Sequence, residues 1–154
     1  MVRPSRIVTL YVVMGPPASG KTTHVLSRAQ PGDIIIDFDR IATALTAPGS
    51  DSHIHGDAVK RVAHRIRQTA IAEALRHCSS VDVWVIHSRP RPEARAKYDR
   101  HAATYITVDP GRDVVLARCA EQRSRQAAQA AERWYGEQAE DTTPITTVSA
   151  SRTW

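Results

Sequence analysis

Short apolar runs alternate along this chain with longer segments in which apolar residues recur at helical spacing. Runs rich in Val and Ile predict strands that are covered on both faces, because such strands carry apolar side chains at consecutive positions. Four runs are clear, and a weaker one near the end predicts an edge strand, which we favour, or a tail. The predicted strands are residues 6–14, 32–37, 81–86, 103–108 and 145–148.

Helical segments fill the intervals between these strands. They are residues 22–29, 39–45, 57–77, 92–100 and 109–138, the last with a break near 124–129. Strands that alternate with helices predict an α/β fold with a parallel, doubly wound sheet of four or five strands and helices on both faces. A length of 154 residues predicts a single domain over 1–154. Ligands of such sheets bind at the carboxyl ends of the strands, so the loops there hold the candidate site residues.

The longest predicted helix, residues 57–77, is amphipathic. Asp57 is its predicted N-terminal cap. Five apolar residues at helical spacing predict one buried stripe, and most Lys and Arg side chains of the helix, Arg67 among them, lie off it. The predicted stripe consists of Val59, Val62, Ile66, Ala70 and Leu75.

The loop after the first predicted strand, residues 15–22 (GPPASGKT), fits the phosphate-loop pattern G-x-x-x-x-G-K-[ST] at every fixed position. A strand before it and a helix after it allow backbone N–H groups to converge on a phosphate. Lys21 is expected to reach the β- and γ-phosphates of a nucleotide, and the Thr22 hydroxyl to ligate Mg²⁺. The chain is therefore predicted to have the three-layer fold of P-loop nucleotide-binding proteins. The predicted nucleotide contacts here are Gly15, Pro17, Ala18, Ser19, Gly20, Lys21, Thr22 and Thr23.

An acidic cluster follows the second predicted strand, beside the phosphate loop in this architecture. Asp37 and Asp39 are candidate general bases for the proton of an attacking hydroxyl. Arg40 is a candidate ligand for a phosphate of the acceptor. Two other interpretations of the aspartates stay open: a place in the shell of Mg²⁺, and capping of the next helix by Asp39.

Arginines near the predicted helix break are candidates for a short lid over the nucleotide, at about residues 118–130. Phosphoryl transfer requires positive charge on the migrating group, and mobile arginines supply it while they close the site to water. Arg118, Arg123 and Arg125 are the candidates. An exposed helix face in an arginine-rich chain is the alternative interpretation.

The loop after the third predicted strand supplies further candidate substrate contacts, His87, Arg89 and Arg91. P-loop enzymes usually have an acidic residue at the end of this strand to hold the Mg²⁺ water shell, and here His87 takes that position. His87 either orients substrate or is an ordinary loop residue. His53 and His55 form an H-x-H pair without a fixed third ligand nearby, which favours a substrate-facing loop over a metal site.

Composition limits the partners without identifying one. The net charge of +5 and the pI near 9.7 favour a polyanionic partner or a phosphorylated substrate, or reflect only the bias towards Arg and Ala. No apolar run approaches the roughly 20 residues of a membrane span, and no signal-peptide pattern is present, so a cytoplasmic protein without a membrane partner is predicted. Cys78 and Cys119 are predicted to be reduced thiols, and no structural metal is predicted.

Over about residues 7–135 the motifs resemble, in order, those of small P-loop kinases related to bacteriophage polynucleotide 5′-kinases and zeta-type toxins. The family's phosphate loop is written G-x-P-x-S-G-K-[ST]-T, which Pro17 and Ser19 also match. The resembling segments are residues 15–23 (GPPASGKTT), 37–40 (DFDR), 91–95 (RPEAR), the paired lid arginines Arg118 and Arg123, and 132–135 (ERWY).

The resemblance implies an ATP- and Mg²⁺-dependent kinase in which one aspartate of the cluster activates the acceptor hydroxyl. It also implies that Arg40 binds an acceptor phosphate and that Arg118 and Arg123 grip the phosphates of ATP. Either Asp37 or Asp39 can be aligned with the family's base, and we favour Asp39.

The acceptor that the resemblance implies is the 5′-OH of a DNA or RNA end. A kinase for a small acceptor, such as a nucleoside, a nucleotide sugar or a modified base, is the nearest alternative. A nucleotide switch or ATPase that transfers phosphate only to water is a third hypothesis. Salt dependence separates the first two, and ATP loss without labelling of an acceptor identifies the third.

Overall fold

Parallel strands form the central layer of the molecule. The structure, a computed structural model, describes residues 7–51, 54–122, 124–139 and 147–148. Within them the sheet order is β2-β3-β1-β4-β5, and every strand pair is parallel. The elements are β1 (Leu10–Met14), α1 (Lys21–Leu26), β2 (Ile34–Ile36), α2 (Phe38–Ala44), α3 (Asp57–Leu75), β3 (Val83–Ile86), α4 (Pro92–Asp99), β4 (Thr104–Val108), α5 (Arg112–Glu121), α6 (Arg125–Gln138) and β5 (Thr147–Val148).

The strand that leads into the phosphate loop, β1, lies in the middle of the sheet between β3 and β4. Its register runs from Leu10 opposite Val83 of β3 to Met14 opposite Thr107 of β4. Because the strands are parallel, their carboxyl ends lie at one edge, where the loops after β1 to β4 come together. The predicted α/β fold with a parallel sheet is confirmed. Of the predicted edge strand at 145–148, the structure describes two residues, which form β5.

Side chains of β1 alternate between two apolar cores, one on each face of the sheet. Leu10, Val12 and Met14 pack with residues of α3, α4 and the neighbouring strands. Val13 points the other way and packs in a second core with Val25 of α1. Helices thus cover both faces, which gives the predicted three layers and explains why the strands are apolar at consecutive positions.

The buried face of α3 differs from the predicted stripe. Val62 and Ile66 are 50% and 39% exposed, whereas Ala63 is completely buried. Two overlapping sets of small or apolar residues have helical spacing in this segment, and packing on the sheet selects the set that starts at Ala63. The predicted cap is also wrong by one position, because Gly56 is the N-cap and Asp57 is the first helical residue.

The last two helices form a hairpin whose turn comes earlier than the sequence predicts. Helix α5 ends at Glu121 and α6 begins at Arg125, so the break precedes most of the predicted interval 124–129. The Ser124 hydroxyl accepts a hydrogen bond from the Ala127 amide at 3.1 Å, a side-chain cap that fixes the start of α6.

Two further features are the apolar character of the helices and the state of the two cysteines. Among the residues that the structure describes, no helix combines the length and apolar character that crossing a bilayer requires. Cys78 and Cys119 are free thiols, and Cys119 is completely buried between α5 and α6.

Candidate nucleotide and phosphate-transfer site

The phosphate loop between β1 and α1 is held tightly against the sheet. A Cβ atom at Gly15 would lie 2.2 Å from the carbonyl oxygen of Val108, so only glycine fits this position. The Gly15 amide donates to the Ser88 carbonyl at 3.2 Å, which ties the loop to the segment after β3. Gly20, with φ of +93°, is the N-cap of α1 in a left-handed conformation that favours glycine. Gly15 is therefore required by the close approach of the Val108 carbonyl, and Gly20 is favoured by its backbone conformation.

The interior of the loop contains a buried hydroxyl group that has no partner in the described part of the chain. Ser19 is completely buried, and its hydroxyl has no hydrogen-bond partner among the described residues. Ala18 has φ of +57°, a rare conformation for a residue with a side chain. Strained backbone and an unpartnered hydroxyl are found at sites that a ligand completes.

The Lys21 side chain lies across the loop. Its Nζ donates to the carbonyl oxygens of Gly15 at 2.9 Å and Pro16 at 2.6 Å. Burial lowers the pKa of Lys21 to about 8, and the nearby carboxylates of Asp37 and Asp39 offset part of that effect. The ammonium is thus held where a phosphate can replace the carbonyl oxygens as its partner.

Thr22 and Asp37 form the oxygen-rich corner of the site. The Thr22 hydroxyl donates to Asp37 Oδ2 at 2.7 Å, and the Asp39 amide donates to Asp37 Oδ1 at 3.3 Å. Asp37 is 5% exposed and caps α2, so the cap is Asp37 and not Asp39. Hydroxyl and carboxylate oxygens are the ligands that Mg²⁺ prefers, so these residues fit the metal predicted at Thr22. No group of three or more His, Cys, Asp or Glu side chains suited to a metal occurs in the described part of the chain.

Asp39 lies at the same corner with a more open side chain. Its side chain is 53% exposed, and its Oδ1 lies 3.9 Å from Nε2 of His55, whose side chain is 2% exposed. Phe38 contacts both His55 and His64, with ring centroids 6.5 Å and 4.5 Å apart. His55, from the loop before α3, therefore lies beside the Asp39 carboxylate and also contacts Phe38 at the start of α2. His53, the other member of the H-x-H pair, lies outside the described residues.

His87 occupies the end of β3, where the acid was expected. Its Nε2 and the Tyr98 hydroxyl are 2.6 Å apart. Burial, aided by the positive charge of Arg67, lowers the pKa of His87 to about 3. His87 is therefore a neutral ring at physiological pH, and the end of β3 has no negative charge to offer.

The α5–α6 hairpin reaches back over the carboxyl edge of the sheet. Arg118 Nη1 donates to the carbonyl oxygen of Ala18 at 3.0 Å, which places this predicted lid residue against the phosphate loop. The Tyr135 hydroxyl donates to Asp109 Oδ1 at 2.6 Å, after β4. Arg125 is exposed at the start of α6. Arg123 lies outside the described residues.

Arg89 is engaged by α6. Its Nη2 donates to the Trp134 carbonyl at 3.2 Å, its guanidinium lies 5.3 Å from the Trp134 ring, and its Nε is 3.7 Å from Glu137 Oε2. The Trp134 indole N–H donates to the Ser88 carbonyl at 2.9 Å. These contacts join the loop after β3 to the last helix. The other predicted substrate contacts, Arg40 and Arg91, are exposed.

Sequence reasoning did not include Arg67 or Tyr98 among the site residues. Arg67 Nη2 donates to the carbonyl oxygen of Ile86, the last residue of β3, at 2.7 Å. A signal was present in the sequence, because Arg67 follows Ala63 by four residues and precedes Ala70 by three. That spacing places the arginine on a helix face made of small residues.

Comparisons with known proteins give a fold and no family. No family model matches the chain, and no curated protein matches it. A proposed kinase from Chloroflexus aurantiacus matches with a TM-score of 0.55 and 16% identity, over 93% of this chain and 88% of that one. The tunicamycin resistance protein of Deinococcus radiodurans matches with a TM-score of 0.54 and 18% identity, over 92% and 85%. The resemblance to bacteriophage polynucleotide kinases stays a prediction. At such identities these likenesses establish that the chain has the three-layer α/β fold of P-loop kinase-like proteins.

Proposed function

We propose that this protein is an ATP- and Mg²⁺-dependent kinase that transfers the γ-phosphoryl group to a hydroxyl, with the 5′-OH of a nucleic-acid end as acceptor. One observation carries the proposal: Lys21 lies across a tight glycine loop while Thr22 is hydrogen-bonded to a buried carboxylate at the same sheet edge. The two structural neighbours support a kinase-like protein at the level of fold.

The donor phosphates would bind in the loop at residues 15–23. Lys21 would exchange its two carbonyl partners for β- and γ-phosphate oxygens, and the buried Ser19 hydroxyl would gain a partner. Arg118 approaches the same loop from the lid side and would add positive charge to the migrating group. Thr22 and Asp37 would hold Mg²⁺, which when bound neutralises charge on the phosphates.

Asp39 is the general base in this proposal. Both Asp37 oxygens are engaged, by the Thr22 hydroxyl and by the Asp39 amide, whereas the Asp39 side chain is half exposed towards solvent. The Asp39 carboxylate would accept the proton of the acceptor hydroxyl while that oxygen bonds to the γ-phosphorus. The bond from the γ-phosphorus to the bridging oxygen breaks, and ADP leaves.

The proposed nucleic-acid acceptor rests on charge. The chain has a net charge of +5, and Arg40 and Arg91 are exposed near the ends of β2 and β3. A polyanion would gain from releasing counterions at such a surface. Neither neighbour's name specifies this acceptor, so a panel of acceptors is the direct test.

The experiment incubates the protein with γ-labelled ATP and Mg²⁺ in the presence of 5′-OH DNA, 5′-OH RNA, nucleosides or sugars. Label on a 5′-OH end supports the full proposal. Label only on a small molecule would support a kinase but replace the nucleic-acid acceptor by a small one. Lys21→Ala should abolish labelling, whereas the exposed Lys97→Ala should not, since Lys97 lies on the outer surface of α4. ATP hydrolysis without a labelled acceptor would replace the kinase by an ATPase.

A further inference from the structure

A cationic side chain occupies the face of α3 that packs on the sheet. Ala63 and Ala74 are 0% and 4% exposed, and Ala70 also packs against the core. Arg67 has the helical spacing of this set, four residues after Ala63 and four before Ile71. An arginine at such a position must place its guanidinium at the end of the core, and here that end is the carboxyl edge of β3.

Few of the donors of Arg67 are used. Its Nη2 bonds to the Ile86 carbonyl at 2.7 Å, and its Nε is shielded from solvent with no hydrogen-bond partner among the described residues. In that part of the chain Arg67 makes no ion pair with a carboxylate. A desolvated charge without an ion pair is unfavourable, and proteins usually compensate it with an opposite charge.

The neighbouring side chains supply only part of that compensation. The Asp37 carboxylate is within electrostatic range and favours the charged guanidinium, but the hydrogen bonds that its oxygens accept come from Thr22 and from the Asp39 amide. Burial lowers the pKa of Arg67 even though Asp37 and Tyr98 act in the opposite direction. His87 is neutral and paired with Tyr98, so it adds no negative charge. The rest of the compensation is therefore expected from the anion of a ligand.

We propose that Arg67 is a phosphate-binding residue of this site, which holds an oxyanion between the end of β3 and Asp37. The inference rests on the proposed function and adds a residue to it. It also accounts for the missing acid at the end of β3, because a carboxylate in place of His87 would compete with the phosphate for the guanidinium. The oxyanion belongs either to the γ-phosphate of the donor or to a phosphate carried by the acceptor.

The first test uses stability, which requires no ligand. Arg67→Met keeps the length of the side chain and removes the charge. If the role of Arg67 is to bind a ligand, the variant should have an unchanged or higher melting temperature, because a buried and only partly compensated charge has been removed. A clear fall in melting temperature, or failure to fold, would show that Arg67 is structural and would overturn the proposal. Arg65→Met, on an exposed position of the same helix, is the matched control.

The second test distinguishes the two sources of the oxyanion by calorimetric titration. If Arg67 contacts the γ-phosphate, Arg67→Met should bind a non-hydrolysable ATP analogue at least about tenfold more weakly and ADP unchanged. If Arg67 contacts an acceptor phosphate, the analogue should bind normally, and inorganic phosphate should bind the analogue-filled wild type but not analogue-filled Arg67→Met. Arg67→Lys should restore part of the affinity in either case. Equal binding of all three probes by Arg67→Met and wild type would refute the assignment.

Failure of this inference differs from failure of the proposed function. If wild type binds neither the ATP analogue nor ADP, the nucleotide site itself is wrong. In that case inorganic phosphate bound by the wild type and lost in Arg67→Met would still assign Arg67 to an anion site. If wild type binds nucleotides and Arg67→Met binds every probe equally well, only the Arg67 assignment is lost.

Discussion

At the scale of single residues, two aspartates only two positions apart have different surroundings. Asp37 is buried, caps α2 and accepts the Thr22 hydroxyl, whereas the Asp39 side chain is half exposed beside His55. A buried carboxylate beside a hydroxyl suits a metal shell, and a half-exposed carboxylate suits proton transfer. This difference in burial and bonding divides the proposed roles between them.

Asp39→Asn should lower kcat by about 10²–10⁴-fold with little change in nucleotide affinity, because only the proton acceptor is lost. Asp37→Asn should instead raise the Mg²⁺ concentration needed for half-maximal activity, because one of the proposed oxygen ligands of the metal becomes neutral. Steady-state kinetics over a Mg²⁺ series measure both effects, with the exposed Glu121→Gln as control. If Asp37→Asn instead lowered kcat and Asp39→Asn raised the Mg²⁺ requirement, Asp37 would be the base and Asp39 the metal ligand.

Lys21 makes the site sensitive to alkaline pH. Its pKa is lowered from 10.5 to about 8 by burial, so the free protein loses this ammonium as pH rises above about 8. Nucleotide affinity should therefore fall between pH 7.5 and 9.5 in wild type, whereas Lys21→Met should bind weakly with no such fall. Equilibrium titrations across this range measure the effect, and a wild-type affinity independent of pH would contradict it.

The lowered pKa of Lys21 has the opposite effect on folding stability, which should rise with pH where nucleotide affinity falls. Between about pH 8 and 10.5 the unfolded chain keeps the Lys21 proton and the folded chain has lost it, so the unfolded state binds more protons. The contribution of Lys21 to the free energy of unfolding should therefore increase with pH in this window. Denaturant unfolding measures the free energy of unfolding of wild type and of Lys21→Met at pH 8 and at pH 10. The difference between the two proteins at each pH separates the contribution of Lys21 from those of the other titrating groups.

At the scale of elements, the phosphate loop depends on close contact between β1 and β4. Gly15→Ala would place a methyl group 2.2 Å from the Val108 carbonyl oxygen. We expect a loss of about 1–3 kcal/mol in unfolding free energy, as for other overpacked positions, together with loss of nucleotide binding. Gly136→Ala is the matched control, because a Cβ atom there would meet nothing within 4 Å and because Gly136 lies inside helix α6. It should gain about 0.5–1 kcal/mol, and denaturant unfolding of both variants measures the contrast.

The contacts of α6 also belong to this scale. Trp134 bonds to the Ser88 carbonyl and its own carbonyl accepts from Arg89, so the last helix is joined to the loop after β3. Trp134→Phe removes the indole N–H and also reduces the volume of this buried side chain. Unfolding free energy should fall by more than about 0.5–1.5 kcal/mol, the usual contribution of one hydrogen bond, because the smaller ring leaves buried space unfilled. A chemical denaturation curve with an unchanged slope would confirm that only stability changed.

At the scale of the whole molecule, the net charge of +5 bears on the acceptor. If the acceptor is a polynucleotide, its apparent affinity should fall steeply with salt, with a logarithmic slope of about −0.7 per neutralised phosphate of a single strand. A small acceptor should depend on salt far less. Kinetics with 5′-OH oligonucleotides between low and moderate salt measure this slope, and a flat dependence would favour the small-acceptor alternative.

Much of this protein could be predicted from the sequence, because the signals were local. The apolar runs, the turn residues between them and the phosphate-loop motif are each contiguous in sequence, so they predict the order of elements and the fold. Element ends were less accurate: α3 begins after Gly56 and the hairpin turn precedes Ser124. Caps depend on one or two backbone angles, which periodicity does not encode.

Other features were decided only by tertiary structure. The sequence left Asp37 and Asp39 as alternatives, and what distinguishes them is that Thr22, fifteen residues earlier in the chain, bonds to Asp37. The sequence placed Arg67 off the predicted apolar stripe of α3, and packing of α3 on the sheet brings its guanidinium to β3. Composition and periodicity fix which elements form, whereas side-chain roles at the site depend on contacts between segments far apart in the chain, and such contacts exist only after the sheet has assembled.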